Sequence, residues 1–246
     1  MATSLNTYAV YKINSVKDTK GLNVLFIGKP GAGKGTNSRT FIDQYDFVHC
    51  STGDVIRKEI EKGTITKEEQ EQMKKGKLFR DERIIGLVNK FEKDQTKGII
   101  WDGFPRNINQ AQELDVDIVI YLNVPDEYCN YRIPTRMSCT RCSAEFDSVY
   151  KRPKQQNVCD YCGHSLTKRV DDNLETLKER LKSFREDTLP VIDYYKEKGV
   201  LIGIKSDDYP VSVWKRIEKK LKENGKFKDY EENFYSKLWK KFKSIF

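Results

Sequence analysis

Short apolar runs alternate along this chain with longer stretches in which apolar residues recur every three or four positions. The runs are Asn23 to Ile27, Phe47 to Cys50, Gly98 to Trp101, Ile118 to Leu122 and Val200 to Ile204. Each has strand length, and near-continuous apolar character marks a strand buried on both faces. The intervening pattern predicts helices over Lys34 to Tyr45, from the STGD segment at Ser51 through Glu61, over Lys67 to Lys75 and Asp81 to Lys93, around Gln110, and over Leu174 to Tyr195 and Val211 to Asn224. Strands alternating with helices predict an α/β fold: a doubly wound parallel sheet with helices on both faces. Such sheets bind ligands at the carboxyl ends of their strands. Residues 134–172 break the rhythm with cysteines, turns and short β-prone pieces.

The first strand runs directly into Gly28-Lys-Pro-Gly-Ala-Gly-Lys-Gly-Thr36. This is the G-x-x-x-x-G-K spacing of a phosphate-binding P-loop. Gly28, Gly31, Gly33 and Gly35 let main-chain N–H groups approach an anion closely. The following helix adds its positive N-terminus, and Lys34 adds a mobile charge. A glycine-rich turn without a ligand is the alternative, but glycines and a lysine in this register after a buried strand argue against it. The residue after Lys34 is Gly35, and the hydroxyl arrives one place later, at Thr36.

Composition narrows the class further. The chain has 246 residues, 37% of them apolar, and a net charge of +8. That charge suits an enzyme that handles polyphosphates as well as a nucleic-acid binder. Without an arginine-rich or aromatic RNA-binding signature, the reading is no nucleic acid. Four of the six cysteines form two pairs, Cys139-x-x-Cys142 and Cys159-x-x-Cys162. That spacing points to a structural zinc ion held by four thiolates, with no open position for water. Disulfides or unliganded thiols are the alternative. Cys50 and Cys129 read as small core residues, and His164 as a surface residue rather than a ligand. The first residues carry no apolar signal core, no arginine, and alanine rather than glycine at position 2. The address is therefore read as cytoplasmic, with mitochondrial or membrane-associated placement left open.

Five segments, in order, resemble the adenylate kinase family: GKPGAGKGT at 28–36, STGDVIR at 51–57, DGFPRNINQA at 102–111, RIPTR at 132–136 and KRVDD at 168–172. The resemblance covers roughly residues 22–220, and the ordered set is far more specific than a lone P-loop. It implies a phosphotransferase that moves a phosphoryl group from a nucleoside triphosphate to AMP with Mg2+. It also implies the site. Gly31, Ala32, Gly33, Lys34, Gly35 and Thr36 would cradle the donor phosphates. Arg132 would lie over the donor base with Pro210, and Arg136 would reach the donor. Thr52, Arg57, Lys77, Leu78, Phe79, Gly103, Arg106 and Gln110 would form the AMP site, with Gln110 reading the adenine edge. Arg169 and Arg180 would close on the transferring group, from the AMP side as well. Thr36 and Asp102 would orient magnesium, largely through water. Lys34, Asp102, Arg106, Arg136, Arg169 and Arg180 make up the expected catalytic set. Asp54 would brace the phosphate-site loop, and Asp171-Asp172 would cap the helix at Leu174 and serve a hinge or lid.

The same resemblance divides the chain into a polar leader (1–21), an adenylate kinase-like domain (22–222) and a tail (223–246). Within the domain, 51–79 is a monophosphate-binding insertion and 135–172 a zinc-bearing lid. Lys29, Asn37, Tyr209 and Ser143 depart from the family pattern and bear on donor choice. ATP is favoured, with GTP as donor the alternative. A zinc-finger interaction module with a vestigial P-loop is the alternative of another class. The tail places apolar residues at 235, 238, 239, 242, 245 and 246 among lysines. That is a basic amphipathic helix, suited to an anionic membrane surface, a protein partner or the enzyme's own surface. The chain is read as a monomer.

Overall fold

The first strand, β1 (Asn23–Gly28), is buried along its whole length and divides the core in two. In the computed structural model, which describes residues 21–74 and 80–224, Val24 and Phe26 point into one apolar cluster and Leu25 and Ile27 into another. β4 (Ile118–Asn123) repeats the pattern, sending Ile118, Ile120 and Leu122 to the first cluster and Val119 to the second. Burial on both faces is what a continuous apolar run without alternation requires.

These strands lie in a five-stranded sheet of order β2 (Phe47–Ser51), β3 (Gly98–Asp102), β1, β4 and β8 (Leu201–Lys205), with every pairing parallel. On one face pack α1 (Lys34–Gln44), α7 (Leu174–Ser183) and α9 (Pro210–Glu223), with Phe41 of α1 edge-on to Phe26, Phe47 and Trp214. α6 (Asp126–Arg132) joins that face through Cys129. The other face carries α2 (Thr52–Glu61), α4 (Asp81–Lys93), α5 (Ile108–Gln112) and α8 (Leu189–Glu197). α3 (Lys67–Lys74) lies between α2 and α4 in the chain. This is the doubly wound α/β architecture expected from the sequence.

The helix expected over Leu174 to Tyr195 is interrupted. A π-helical turn, Phe184–Thr188, separates α7 from α8. α6 was not foreseen, because a seven-residue helix that buries little besides Cys129 shows no apolar stripe. Between α6 and α7 the chain builds a second, antiparallel sheet: β6 (Glu145–Phe146), β5 (Met137–Cys139) and β7 (Leu166–Thr167). Its buried side chains are Cys139, Ala144, Phe146, Cys159 and Leu166. So small an apolar cluster offers little burial to hold a fold together, which is the setting in which a metal or thiol cross-link contributes most.

Capping residues set where the helices begin. Ser51 accepts from the Asp54 N–H at α2, Asn107 from Gln110 at α5, and Asn173 from Thr176 at α7. The cap of α7 is therefore Asn173, not Asp171 or Asp172. Both aspartates are committed to arginines instead, as described below. Among the described residues no helix is long and apolar enough to cross a membrane. Lys77, Leu78, Phe79, the leader up to residue 20 and the tail beyond 224 lie outside the described residues.

Candidate active site

The carboxyl ends of β1 and β3, the N-terminal ends of α1 and α2, and the small sheet surround one cavity of about 770 Å³. The predicted nucleotide-binding and catalytic residues that the structure describes all line it, whereas of the four predicted zinc ligands only Cys139 does. Lys34, Thr36, Asp102, Gly103 and Arg106 come from the strand ends and the loops after them. Thr52, Arg57 and Gln110 face it from the α2 and α5 side. Arg132, Arg136, Arg169, Arg180 and Pro210 reach it from α6, the small sheet, α7 and α9.

The P-loop closes on itself. Gly33 takes φ +88°, a left-handed conformation that side-chain-bearing residues avoid, and this turns the loop into α1. Lys34 curls back, its Nζ donating to the carbonyls of Gly28 (2.9 Å) and Lys29 (3.0 Å). Burial lowers its pKa to about 8, although Asp102 pulls it back up. The buried Asn37 donates to the Gly33 carbonyl (2.8 Å), and the buried Ser206 hydroxyl to that of Ala32 (2.7 Å). Both side chains brace the loop from behind. Lys29 neither reaches into the cavity nor floats in solvent. Its Nζ donates to the Val124 carbonyl (2.9 Å) and pairs with Asp126 (2.6 Å), tying the loop to the start of α6.

Arg132 donates to the carbonyls of Gly31 (3.1 Å), Ser206 (3.0 Å) and Asp208 (3.2 Å). Its guanidinium also faces the Tyr150 ring at 4.7 Å and the Tyr128 ring at 5.5 Å, and Tyr150 packs edge-on against Tyr209 at 5.4 Å. A planar cation framed by aromatic rings beside the P-loop makes a platform for a nucleobase. The exposed Tyr209 thus belongs to this aromatic wall.

At the opposite end of the cavity, Gly103 (φ +85°) lies against Thr52: a β-carbon there would come within 2.7 Å of the threonine hydroxyl. Arg106 Nε donates to the Gly103 carbonyl (2.8 Å), and the Gln110 side-chain oxygen accepts from the Arg106 N–H (2.7 Å). The Gln110 amide also donates to Asp81 (2.7 Å), so both ends of the buried side chain have protein partners. Thr188, in the π-helical turn, donates to the Arg106 carbonyl (2.8 Å). Arg57 pairs with Asp54, whose carboxyl stays below its ordinary pKa because Arg57 and the Ser143 hydroxyl outweigh its burial.

Between the two ends the cations converge. Burial brings Arg180 down to about 9, reinforced by Arg136, Arg106, Arg169 and Arg57. The protein mass around the cavity likewise lowers Arg169 and the solvent-open Arg106. Such crowding of like charge is unfavourable until an anion enters. Carboxylates partly relieve it. The fully buried Asp172 grips Arg136 through two bonds of 2.7 and 2.5 Å and lies 3.7 Å from Arg180, which also pairs with Asp171. Asp102 is largely enclosed, which opposes its ionisation, yet His49, Lys34 and Arg106 hold its pKa below the ordinary value.

Two site residues escaped the sequence reading. Glu145 bonds both Arg169 (2.7 Å) and Arg136 (3.4 Å), and Tyr150 faces Arg132. Each sits in the polar segment around the cysteines, where no periodicity marks an inward-facing position. Ser143 had drawn notice as a departure from glycine, and it has φ +56°, a conformation that glycine adopts more readily.

The residues present fit both expected metals. The four cysteine sulfurs lie within 4.8 Å of one another, with Cys139 and Cys162 3.4 Å apart and Cys142 and Cys159 3.5 Å apart. Zinc–sulfur bonds of about 2.3 Å in a tetrahedron call for sulfurs about 3.8 Å apart. Burial opposes ionisation of Cys139, but N–H groups of Cys142 and Arg141 bring its thiol down to about 7, whereas burial and the neighbouring sulfurs push Cys142 up; a cation among the four would favour the thiolate in each. Beside the P-loop, a β-carbon on Gly35 would lie 3.5 Å from Asp102 and 3.0 Å from Glu145. The ionised Asp102 carboxylate and the Thr36 hydroxyl, both lining the cavity beside the P-loop, are hard oxygen donors of the kind magnesium takes, directly or through water.

A family model for adenylate kinase matches residues 26–200. The chain belongs to the adenylate kinase family. The adenylate kinase of Archaeoglobus fulgidus is 41% identical over 209 residues, covering 80% of this chain and 96% of that protein. Those of Mycoplasma mycoides and Methanosarcina barkeri are 36% and 38% identical, each over 82% of this chain and nearly the whole relative. Adenylate kinases are nucleoside monophosphate kinases, so this chain is an enzyme of the phosphotransferase class. Arg106, Arg136, Arg169 and Arg180, which the resemblance picked out, line the same cavity as Lys34, and Arg106 and Arg136 act directly on its charge.

Proposed function

We propose that this enzyme catalyses reversible, magnesium-dependent transfer of the terminal phosphoryl group of ATP to AMP, giving two molecules of ADP. The observation that carries this reading is the meeting of Lys34, Arg106, Arg136, Arg169 and Arg180 on one buried cavity, with a base platform beside the P-loop and a second pocket at Thr52, Arg57 and Gln110. An AMP phosphate oxygen attacks the γ-phosphorus. The new O–P bond forms as the bond to the β-bridging oxygen breaks, and that oxygen leaves on ADP. The attacking oxygen is already anionic, so no strong base is needed. Alignment, charge neutralisation and exclusion of water do the work. Lys34 and the P-loop N–H groups hold the donor phosphates, Arg57 and Arg106 hold the AMP phosphate, and Arg136, Arg169 and Arg180 surround the group in transit. Magnesium would supply further neutralisation when bound with the donor, and Thr36 and Asp102 are the residues that would hold it, largely through water.

In this reading residues 135–172 are a zinc-stiffened lid and 51–79 the AMP-binding insertion. The lid's Cys142 carbonyl accepts from Arg39 of α1 (3.4 Å), and the Arg39 guanidinium faces lid Tyr161 at 5.2 Å, contacts that suit a closed position over the donor. ATP is favoured because main-chain carbonyls frame the donor platform, and such acceptors suit the adenine amino group better than guanine O6. For the tail we keep the reading of a localising amphipathic segment. Truncation after Asn224 should abolish its partition onto anionic vesicles or its partner binding, and unchanged partition and binding would refute it.

A coupled assay with AMP against ATP, GTP and ITP tests the main proposal. ATP is expected to give the highest kcat/KM. Higher kcat/KM with GTP would reassign the donor, and no turnover with any of the three would return the chain to a binding module.

A further inference from the structure

Two of the arginines at the transfer centre already hold an anion of the protein's own. Glu145 places Oε1 2.7 Å from Arg169 Nη2 and 3.4 Å from Arg136 Nη1. Its other oxygen, Oε2, faces the P-loop across the gap left by Gly35, 3.0 Å from where a β-carbon would stand. The side chain is only 18% exposed and belongs to β6 of the small sheet, whereas Gly35 belongs to α1 of the main domain. One carboxylate thus spans the cavity and joins two of its cations to the edge of the P-loop.

A carboxylate and a phosphate present the same chemistry to arginine: negative oxygens spaced for a planar fork of N–H donors. Other carboxylates at the site do not stand in this place. Asp172 grips Arg136 through Nε and Nη2, and Asp102 faces Lys34 and His49 from the end of β3. Glu145 takes the Nη1 atom of Arg136 and one terminal nitrogen of Arg169, atoms of the kind a phosphoryl oxygen would need. A polyphosphate on the P-loop and the Glu145 carboxylate cannot share these donors without setting two anions in contact.

We propose that Glu145 is an internal anion that holds Arg136 and Arg169 in the nucleotide-free enzyme and must be displaced by the donor's phosphates, so that it sets donor affinity. The inference rests on the proposed function. Displacement has a local route: the flexible side chain can turn toward Lys151, a cation of the same small sheet region that already interacts with Glu145 and lies over the Phe146 and Tyr161 rings. While it remains in place, Glu145 keeps the crowded guanidinium groups paired and the small sheet drawn against the P-loop. Donor entry then exchanges one anion for another instead of filling an empty cationic pocket.

Isothermal titration of wild type, Glu145→Gln and Glu145→Asp with ATP, inorganic tripolyphosphate and AMP tests the idea. Glutamine keeps the size and removes the charge. Aspartate keeps the charge and shortens the reach. Tripolyphosphate isolates the phosphate contacts from those of the base. Glu145→Gln should bind ATP and tripolyphosphate roughly tenfold more tightly, a change of about 1.4 kcal/mol, with AMP altered less than about twofold. Glu145→Asp should lie between glutamine and wild type. In steady state the donor KM should fall while kcat does not rise. Equal or weaker binding of ATP and tripolyphosphate by both variants would overturn the proposal and make Glu145 a scaffold for the arginines. Failure of the underlying function would look different: wild type itself would neither bind ATP nor phosphorylate AMP. Should Glu145→Gln fail to fold, the aspartate variant decides alone by the same comparison.

Discussion

Lys34 is the residue on which the chemistry turns, and its charge depends on its surroundings. The buried ammonium group has a pKa of about 8, against 10.5 in the open chain. Below pH 8 the free enzyme presents a cation to the donor phosphates. Above it the proton is lost, so the dissociation constant for ATP should rise between pH 8 and 9.5, and Lys34→Met should flatten that profile. The same variant should lose roughly a hundredfold or more in kcat, as removal of a preorganised cation from a dry site generally does. Stability moves the other way. Between about pH 8 and 10.5 the unfolded chain holds a proton that the folded chain has released, so the contribution of Lys34 to stability rises with pH across that window. Asp172 offers a second test. Its buried carboxylate makes two of the bonds to Arg136, and Asp172→Ala leaves that guanidinium with only the 3.4 Å contact to Glu145. Urea unfolding should show a loss of about 3–5 kcal/mol. At this scale the sequence disclosed the arginines, because all but Arg180 stood inside a recognisable segment. It did not disclose their carboxylate partners: Asp172 looked like a helix cap or hinge residue, and nothing singled out Glu145. A charge pairing across dozens of residues leaves no local pattern in a chain.

At the scale of elements, legibility followed burial. Strands covered on both faces read as unbroken apolar runs, and β1 to β4 and β8 fall within a residue or two of the expected bounds. Helices with one apolar stripe were equally plain. The two- and three-residue strands of the small sheet were not, because so short a strand completes no period and its order comes from the cysteines. The π-helical turn was also hidden. It falls inside continuous helical periodicity, and its consequence, Thr188 brought under the Arg106 carbonyl, is tertiary. The cysteine cluster is where a bound metal would contribute most to an element. Removal of zinc by a chelator, or Cys139→Ser, should lower the melting temperature by roughly 5 °C or more, from a loss of a few kcal/mol. Metal analysis should fall from one zinc per chain to none. An unchanged melting temperature together with an unchanged zinc content would show that the thiols do not form a structural site.

For the whole molecule, the sheet supplies a rigid floor and the loops at its carboxyl edge supply the chemistry. The proposed donor platform at Arg132 and Tyr150 and the proposed acceptor pocket at Thr52 and Gln110 open on the same cavity, which Lys34 and the arginines also line. Fold class and the position of that cavity were readable in advance, since a P-loop on the first strand of a parallel sheet fixes where phosphate sits. The closure of the small sheet onto α1 was not, because it rests on contacts such as Arg39 with the Cys142 carbonyl that depend on three-dimensional placement. The central claim is that two nucleotides meet end to end in this one cavity. Titration with two adenosines joined through five phosphates tests it most directly, because that molecule spans both base pockets at once. The account predicts one molecule bound per chain, at least about a hundredfold more tightly than ATP or AMP alone. Two molecules bound per chain, or an affinity no better than that of ATP, would contradict it.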